Sequence, residues 1–135
     1  EKAYIDQAGQ YFQVSDKNKK DNIQKIDNPI DRLAKINGYT YQFKLLPNEI
    51  EKGQKAVTAS GVLAQEMELA MPEAVQKNDS GEYFVDYAAI TPLLIEVAKA
   101  QQDEIAGLRK QNESQQKINE LLLARLEKLE QANSK

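Results

Sequence analysis

The sequence predicts an α+β fold: a small mixed domain of short helices and strands, followed by a long C-terminal helix with coiled-coil spacing. Three observations point there. Short runs alternate apolar and polar residues between turn sequences, as in "YTYQFKL" at 39–45. Other runs space their apolar residues for a helix behind a cap, as in "NPIDRLAKING" at 28–38. From Ala88 to Asn133 the only glycine is Gly107 and no proline follows Pro92, so a helix of about 40 residues fits, longer than globular helices usually run.

Taken in order, "AYIDQAGQYFQV" at 3–14 has two short apolar stretches separated by "DQAG", which reads as a hairpin or two extended pieces. "VSDKNKKDNI" at 14–23 then turns from extended to charged. Its Ser15-Asp16 pair reads as the start of a loop, or as a nucleophile with Lys20 as its base five residues on. Asn28 is placed to cap a helix of two to three turns with Pro29 first and Asp31 in the first turn. Ile30, Leu33 and Ile36 share its stripe and Gly38 is the stop. Tyr39, Tyr41, Phe43 and Leu45 share one face of the following strand, residues 46–56 read as a loop, and Val57 to Leu63 as another strand. "AQEMELAMPEAV" predicts a short helix ending near Pro72, "KNDSGE" a turn, and "YFVDY" a strand. Leu63, Met67, Val85, Ile90 and Leu94 are expected to pack structurally rather than bind a ligand.

Thr91-Pro92 can also mark a fresh helix start behind a separate turn from Ala88. The heptad register that fits both ends of the helix has a positions Ala98, Ile105, Asn112, Asn119 and Leu126. Its d positions are Leu94, Gln101, Leu108, Gln115, Leu122 and Leu129, with a polar middle and Ile118 outside the register. A solitary helix cannot bury this seam, so self-association is the default inference. An antiparallel return onto the small domain is the alternative, and heptads alone do not set the number of strands.

Charge and composition exclude several functions. With 21 acidic against 18 basic side chains the net charge is -3, and Asp16 and Asp21 interrupt the lysines at 17, 19, 20 and 25, which argues against a nucleic-acid surface. No apolar run approaches the roughly 20 residues of a membrane span. Glu1 in place of an initiator methionine reads as the start of a fragment. With no cysteine and no histidine there is no disulfide, no cysteine nucleophile, no Ser-His-Asp triad and no ordinary zinc site. No Gly-rich phosphate loop is present, and neither a metal nor a cofactor is expected. Any covalent catalysis has to use a hydroxyl activated by lysine or carboxylate.

Five segments together resemble the peptidase S74 family, the C-terminal intramolecular chaperone domain of phage tail fibres and endosialidase-type tailspikes. They are "SDKNKKDNI" at 15–23, "LAKINGYTYQF" at 33–43, "GVLAQEMELAMPEAV" at 61–75, "YFVDYAAITPLLIEVAK" at 83–99 and the coiled-coil tail. The resemblance implies a homotrimer that folds and registers the fibre segment before it and then cuts itself off. The cut would fall at Val14-Ser15, with Ser15 and Lys20 catalytic. Residues 1–14 would be the end of the upstream fibre, 15–90 the globular chaperone and 91–135 the trimerisation helix, its seam lined by Leu94, Ile105, Leu108, Leu122, Leu126 and Leu129. The implied partners are two further copies and the chain's own upstream fibre, with neither nucleic acid nor membrane. The implied setting is a virion tail fibre or tailspike assembled in the bacterial cytoplasm, from which the cleaved chaperone is released. A trimerisation module that is never cut and stays on its fibre or surface adhesin is the alternative.

The implied reaction makes the chain a single-turnover serine-lysine autoprotease with no external substrate. Ser15 attacks the Val14 carbonyl, and a neutral lysine amine accepts the hydroxyl proton and returns it to the departing amine. A free lysine has a pKa of about 10.4, so burial or neighbouring cations such as Lys17 and Lys19 must help, while Asp16 and Asp21 oppose. The family pattern, Ser-Asp-x-Arg-x-Lys, has an arginine where this chain has Asn18. A short amide does not replace a guanidinium that forks hydrogen bonds to the loop, so weakened cleavage is expected.

Overall fold

In the computed structural model, which describes residues 3–133, the chain opens with the predicted hairpin: β1 (Ala3–Ile5) pairs antiparallel with β2 (Tyr11–Gln13), Tyr4 opposite Phe12. Glu1, Lys2, Ser134 and Lys135, the outer ends of the first and last predicted segments, lie outside the described residues. The Asp6 carboxylate accepts the N–H groups of Ala8 and Gln10, and Gly9 takes the left-handed backbone that closes the turn (φ 80°). The Tyr4 and Phe12 rings stack across the pair with centroids 5.1 Å apart.

The predicted helix at Asn28 is shorter than expected. α1 runs Pro29–Leu33 and has ended by Ala34, well before Gly38. Past it the chain tightens into three-residue turns, Lys35 N–H to Arg32 and Ile36 N–H to Leu33. The physical reason is tertiary: the Glu66 carboxylate takes both the backbone N–H of Asn37 (2.9 Å) and its side-chain amide (3.2 Å), drawing that segment off the helix axis. Asn28 does begin the helix, but as a left-handed residue (φ 45°, ψ 49°) whose backbone carbonyl, not its side chain, accepts from Arg32.

β3 (Tyr39–Gln42) pairs antiparallel with β4 (Thr58–Gly61), Tyr39 opposite Gly61, so the strand expected to reach Leu45 stops at Gln42. Between them, where a loop was expected, Pro47–Glu51 forms α2. Its Glu49 carboxylate reaches back to the Leu46 N–H at 2.7 Å, which is half of a capping box. α3 (Ala64–Ala70) ends before Pro72 as predicted and passes through a 3₁₀ turn at Pro72–Ala74. β5 (Val75–Lys77), absent from the sequence reading, pairs with the predicted β6 (Tyr83–Val85) across the "NDSG" turn.

Asp86 caps a 3₁₀ turn at Tyr87–Ala89 by accepting the Ala88 N–H, and α4 then runs from Ile90 to Asn133, 44 residues. Thr91-Pro92 therefore lies in the first turn of α4, where proline's missing N–H has no helical partner to lose.

The core is small and sits where α3 meets the start of α4. Met67 and Leu93 are fully buried, and Ala70, Met71, Ala74 and Val97 nearly so. Ile26, Leu33, Ile36, Val75, Val85, Ala89 and Ile90 pack around them. Met67, Val85 and Ile90 thus take the structural role expected of them. Leu63 does not, and stands about half exposed, as does Leu94, the first of the positions assigned to the seam. Among the described residues the three two-stranded ribbons do not join into one sheet. Every side chain of α4 from Gln101 to Asn133 is exposed, so within one chain the helix does not fold back on the domain.

Candidate functional site

The local chemistry of residues 15–20 brings the predicted pair together. Asp16 starts a 3₁₀ turn at Lys17–Lys19: its carboxylate accepts the Asn18 N–H at 2.9 Å and its carbonyl accepts the Lys19 N–H at 3.0 Å. The Lys20 N–H closes on the Lys17 carbonyl at 3.1 Å, and its side chain returns to the start of the turn. There Nζ of Lys20 donates to Oγ of Ser15 at 2.9 Å. Once the amine is neutral, the same contact can carry the hydroxyl proton the other way.

The turn closes without the guanidinium that the Ser-Asp-x-Arg-x-Lys pattern would supply. From Asn18 it uses the backbone N–H, which any residue but proline offers. The whole segment from Gln7 to Lys25 is exposed, Val14, Ser15 and Lys20 included. Among the described residues the pair therefore stands in contact and open to solvent in a single chain.

The six residues assigned to the seam are also open to solvent. Leu94, Ile105, Leu108, Leu122, Leu126 and Leu129 are each between 45% and 56% exposed. In the polar middle the side-chain amide of Gln115 donates to the Asn119 carbonyl oxygen at 3.0 Å, linking a d and an a position along one helix. Leu93 and Val97, which face the chain's own core, precede Leu94 and Ala98 by one residue each. That offset turns the two stripes about 100° apart, so one helix presents both at once.

Sequence reasoning missed the ties that hold the domain around these features. Glu66 accepts from Tyr39 Oη at 2.6 Å as well as from Asn37, 29 residues away in the chain. The phenol's hydrogen bond holds the Glu66 carboxyl below its usual range, and the same bond to Glu66 pushes the Tyr39 phenol up. Arg32 pairs with Asp27 and Glu73 and also donates to the Ala70 carbonyl, so its guanidinium keeps the Asp27 carboxyl low. Tyr87 Oη accepts the Val62 N–H at 3.3 Å. None of these pairs has a local spacing signal. Asp16 did have one, since Ser-Asp is turn chemistry, but in the sequence its charge weighed more than its cap.

The comparisons with known proteins cover much of the same ground. Residues 15–76 match the peptidase S74 family, described as chaperone of endosialidase. The chain is 34% identical over 100 residues to the long tail fiber protein Gp37 of Salmonella phage S16, covering 72% of this chain and 13% of that protein. It is 40% identical over 68 residues to the long tail fiber protein Gp37 of Escherichia phage AR1, covering 50% of this chain and 6% of that protein. The chain thus spans only a small part of the curated relatives it matches. From Ser15 to Gln76, across the α3–β5 core, the chain carries a match to the peptidase S74 family of endosialidase chaperones.

Proposed function

We propose that this chain is the C-terminal intramolecular chaperone of a phage tail fibre or tailspike, assembling as a homotrimer along α4 and cutting itself from the fibre at Val14-Ser15. The observation that carries the proposal is surface. A 15.2 kDa monomer of ordinary shape exposes about 7,100 Å² by the usual scaling of area with mass. This chain exposes 12038 Å². The excess, about 4,900 Å², is several times the roughly 800 Å² per partner that a stable interface needs. Much of it lies on α4, where the apolar stripe stands free while the neighbouring stripe is already occupied by the chain's own core.

Three copies meeting along Leu94, Ile105, Leu108, Leu122, Leu126 and Leu129 would bury that stripe. Fully burying one Leu or Ile is worth roughly 1.5–3 kcal/mol. With each residue already about half covered, the seam gains on the order of 1 kcal/mol per residue, offset in part by the Asn112, Gln115 and Asn119 layers. Those polar layers would also fix the register in which three chains, and the fibre ends ahead of them, are aligned.

The cut would use the Ser15–Lys20 contact. Ser15 Oγ attacks the Val14 carbonyl carbon while its proton passes to the Lys20 amine. The C–N bond to Ser15 breaks as that proton goes to the departing amine, leaving Val14 as an ester on Oγ. Water then hydrolyses the ester, releasing the Val14 carboxylate and restoring the hydroxyl. The virion association of the tail-fibre relatives fits this role, with assembly in the bacterial cytoplasm and release of the cut chaperone.

The mass of the expressed parent chain tests the reading. A break between Val14 and Ser15, abolished by Ser15→Ala and by Lys20→Ala, is expected. A trimeric parent that stays whole would leave a permanent trimerisation module in its place.

A further inference from the structure

We propose that Asp16 is the positioning residue of the Ser15–Lys20 pair, its carboxylate capping the turn that returns the lysine to the serine. This rests on the self-cleavage reading and adds a residue to that same site. Lys20 lies five positions after Ser15, and an extended chain of that length would hold them more than about 15 Å apart. A turn must close between them. The structure closes it with Asp16 Oδ1 on the Asn18 N–H and the Asp16 carbonyl on the Lys19 N–H, then Lys20 N–H on the Lys17 carbonyl. Residues 7–25 are all exposed, so packing does little to hold the turn and its own hydrogen bonds carry it.

Asp16 is also the residue whose backbone changes course. It is extended (φ -63°, ψ 126°), as an N-cap is, and its side chain satisfies an N–H that the short turn leaves unpaired. A negative charge is not what the geometry uses; an oxygen acceptor at Oδ1 is. Asparagine carries that oxygen and alanine does not. Asp16 therefore acts through Lys20 and not on the scissile bond.

The test compares the full chain with D16N and D16A, reading two quantities. The first is the labelling rate of Lys20 by an amine-reactive ester across pH, set against Lys17 and Lys19 of the same molecule by peptide mass spectrometry. Lys20, engaged with Ser15, should label apart from its neighbours in the native chain and in D16N, and like them in D16A. The second is the rate of the Val14-Ser15 cut, which D16A should slow by about 5- to 30-fold, the span a lost cap allows, while D16N stays within about threefold. Labelling that is unchanged in D16A, or lost equally in D16N, overturns the positioning role. A native chain that is never cut overturns the cleavage reading instead, and the labelling still decides what Asp16 does.

Discussion

Gly61 offers a sharp test of how the β3–β4 ribbon is fixed to the base of α4. A Cβ built on Gly61 lies 2.3 Å from Tyr87 Oη, with atoms of the Tyr41 ring and hydroxyl at 3.4 Å. The Tyr41 contacts are ordinary, but the Tyr87 contact is about 1 Å inside any normal approach, so in Gly61→Ala the phenol has to swing away. It then gives up the Val62 N–H, whose 3.3 Å bond is worth about 1 kcal/mol, and the displaced ring adds strain, for a total of about 1–2 kcal/mol. Gly61 sits in a paired strand with no left-handed backbone, so alanine by itself fits and would otherwise stabilise by about 0.4–1 kcal/mol through the unfolded chain. Tyr87→Phe removes the clashing oxygen. Gly61→Ala should accordingly lower the thermal midpoint by up to about 6 °C in the native background and raise it in Tyr87→Phe, read at one fixed chain concentration. Equal shifts in both backgrounds would refute the proposed contact.

Other outcomes follow from the same geometry. Asn28→Gly should be neutral or stabilising and Asn28→Ala should cost about 1–2 kcal/mol in chemical denaturation, because the position is left-handed and its side chain makes no cap. The Glu66–Tyr39 tie should make stability fall at both ends of the pH scale. A lowered carboxyl stabilises above its unfolded value, 4.5, and loses that on acidification through its folded pKa. A raised phenol stabilises below 10.0 and loses that as pH rises through its folded pKa. Glu66→Gln should flatten both limbs of a melting-against-pH curve. Leu93→Ala, at a fully buried site, should destabilise by about 2–5 kcal/mol. Leu122→Asp with Leu126→Asp should leave the small domain's spectrum intact while abolishing assembly, as seen by light scattering.

Much of this was legible where local chemistry decides. The Asp6–Gly9 turn, the end of α3 before Pro72, the "NDSG" turn and the uninterrupted run of α4 all follow from residues within a few positions of each other. The Ser15–Lys20 pair was named from its spacing and the family resemblance, while the Asp16 cap that closes the turn between them went unread. Where distant residues decide, the sequence misled. α1 stops early because Glu66 holds Asn37 from 29 residues away. α2 was missed although Pro47 and Glu49 mark its first turn, since five residues make no periodic pattern. β5 was too short and polar to read without its partner β6.

The measurement that bears most directly on the proposed role is the molecular mass of the whole chain in solution, by sedimentation equilibrium at micromolar concentration. Three copies held by the α4 stripe are predicted, falling to one in the Leu122→Asp, Leu126→Asp variant. A native chain that sediments as a stable monomer, its helix free in water, would contradict the account.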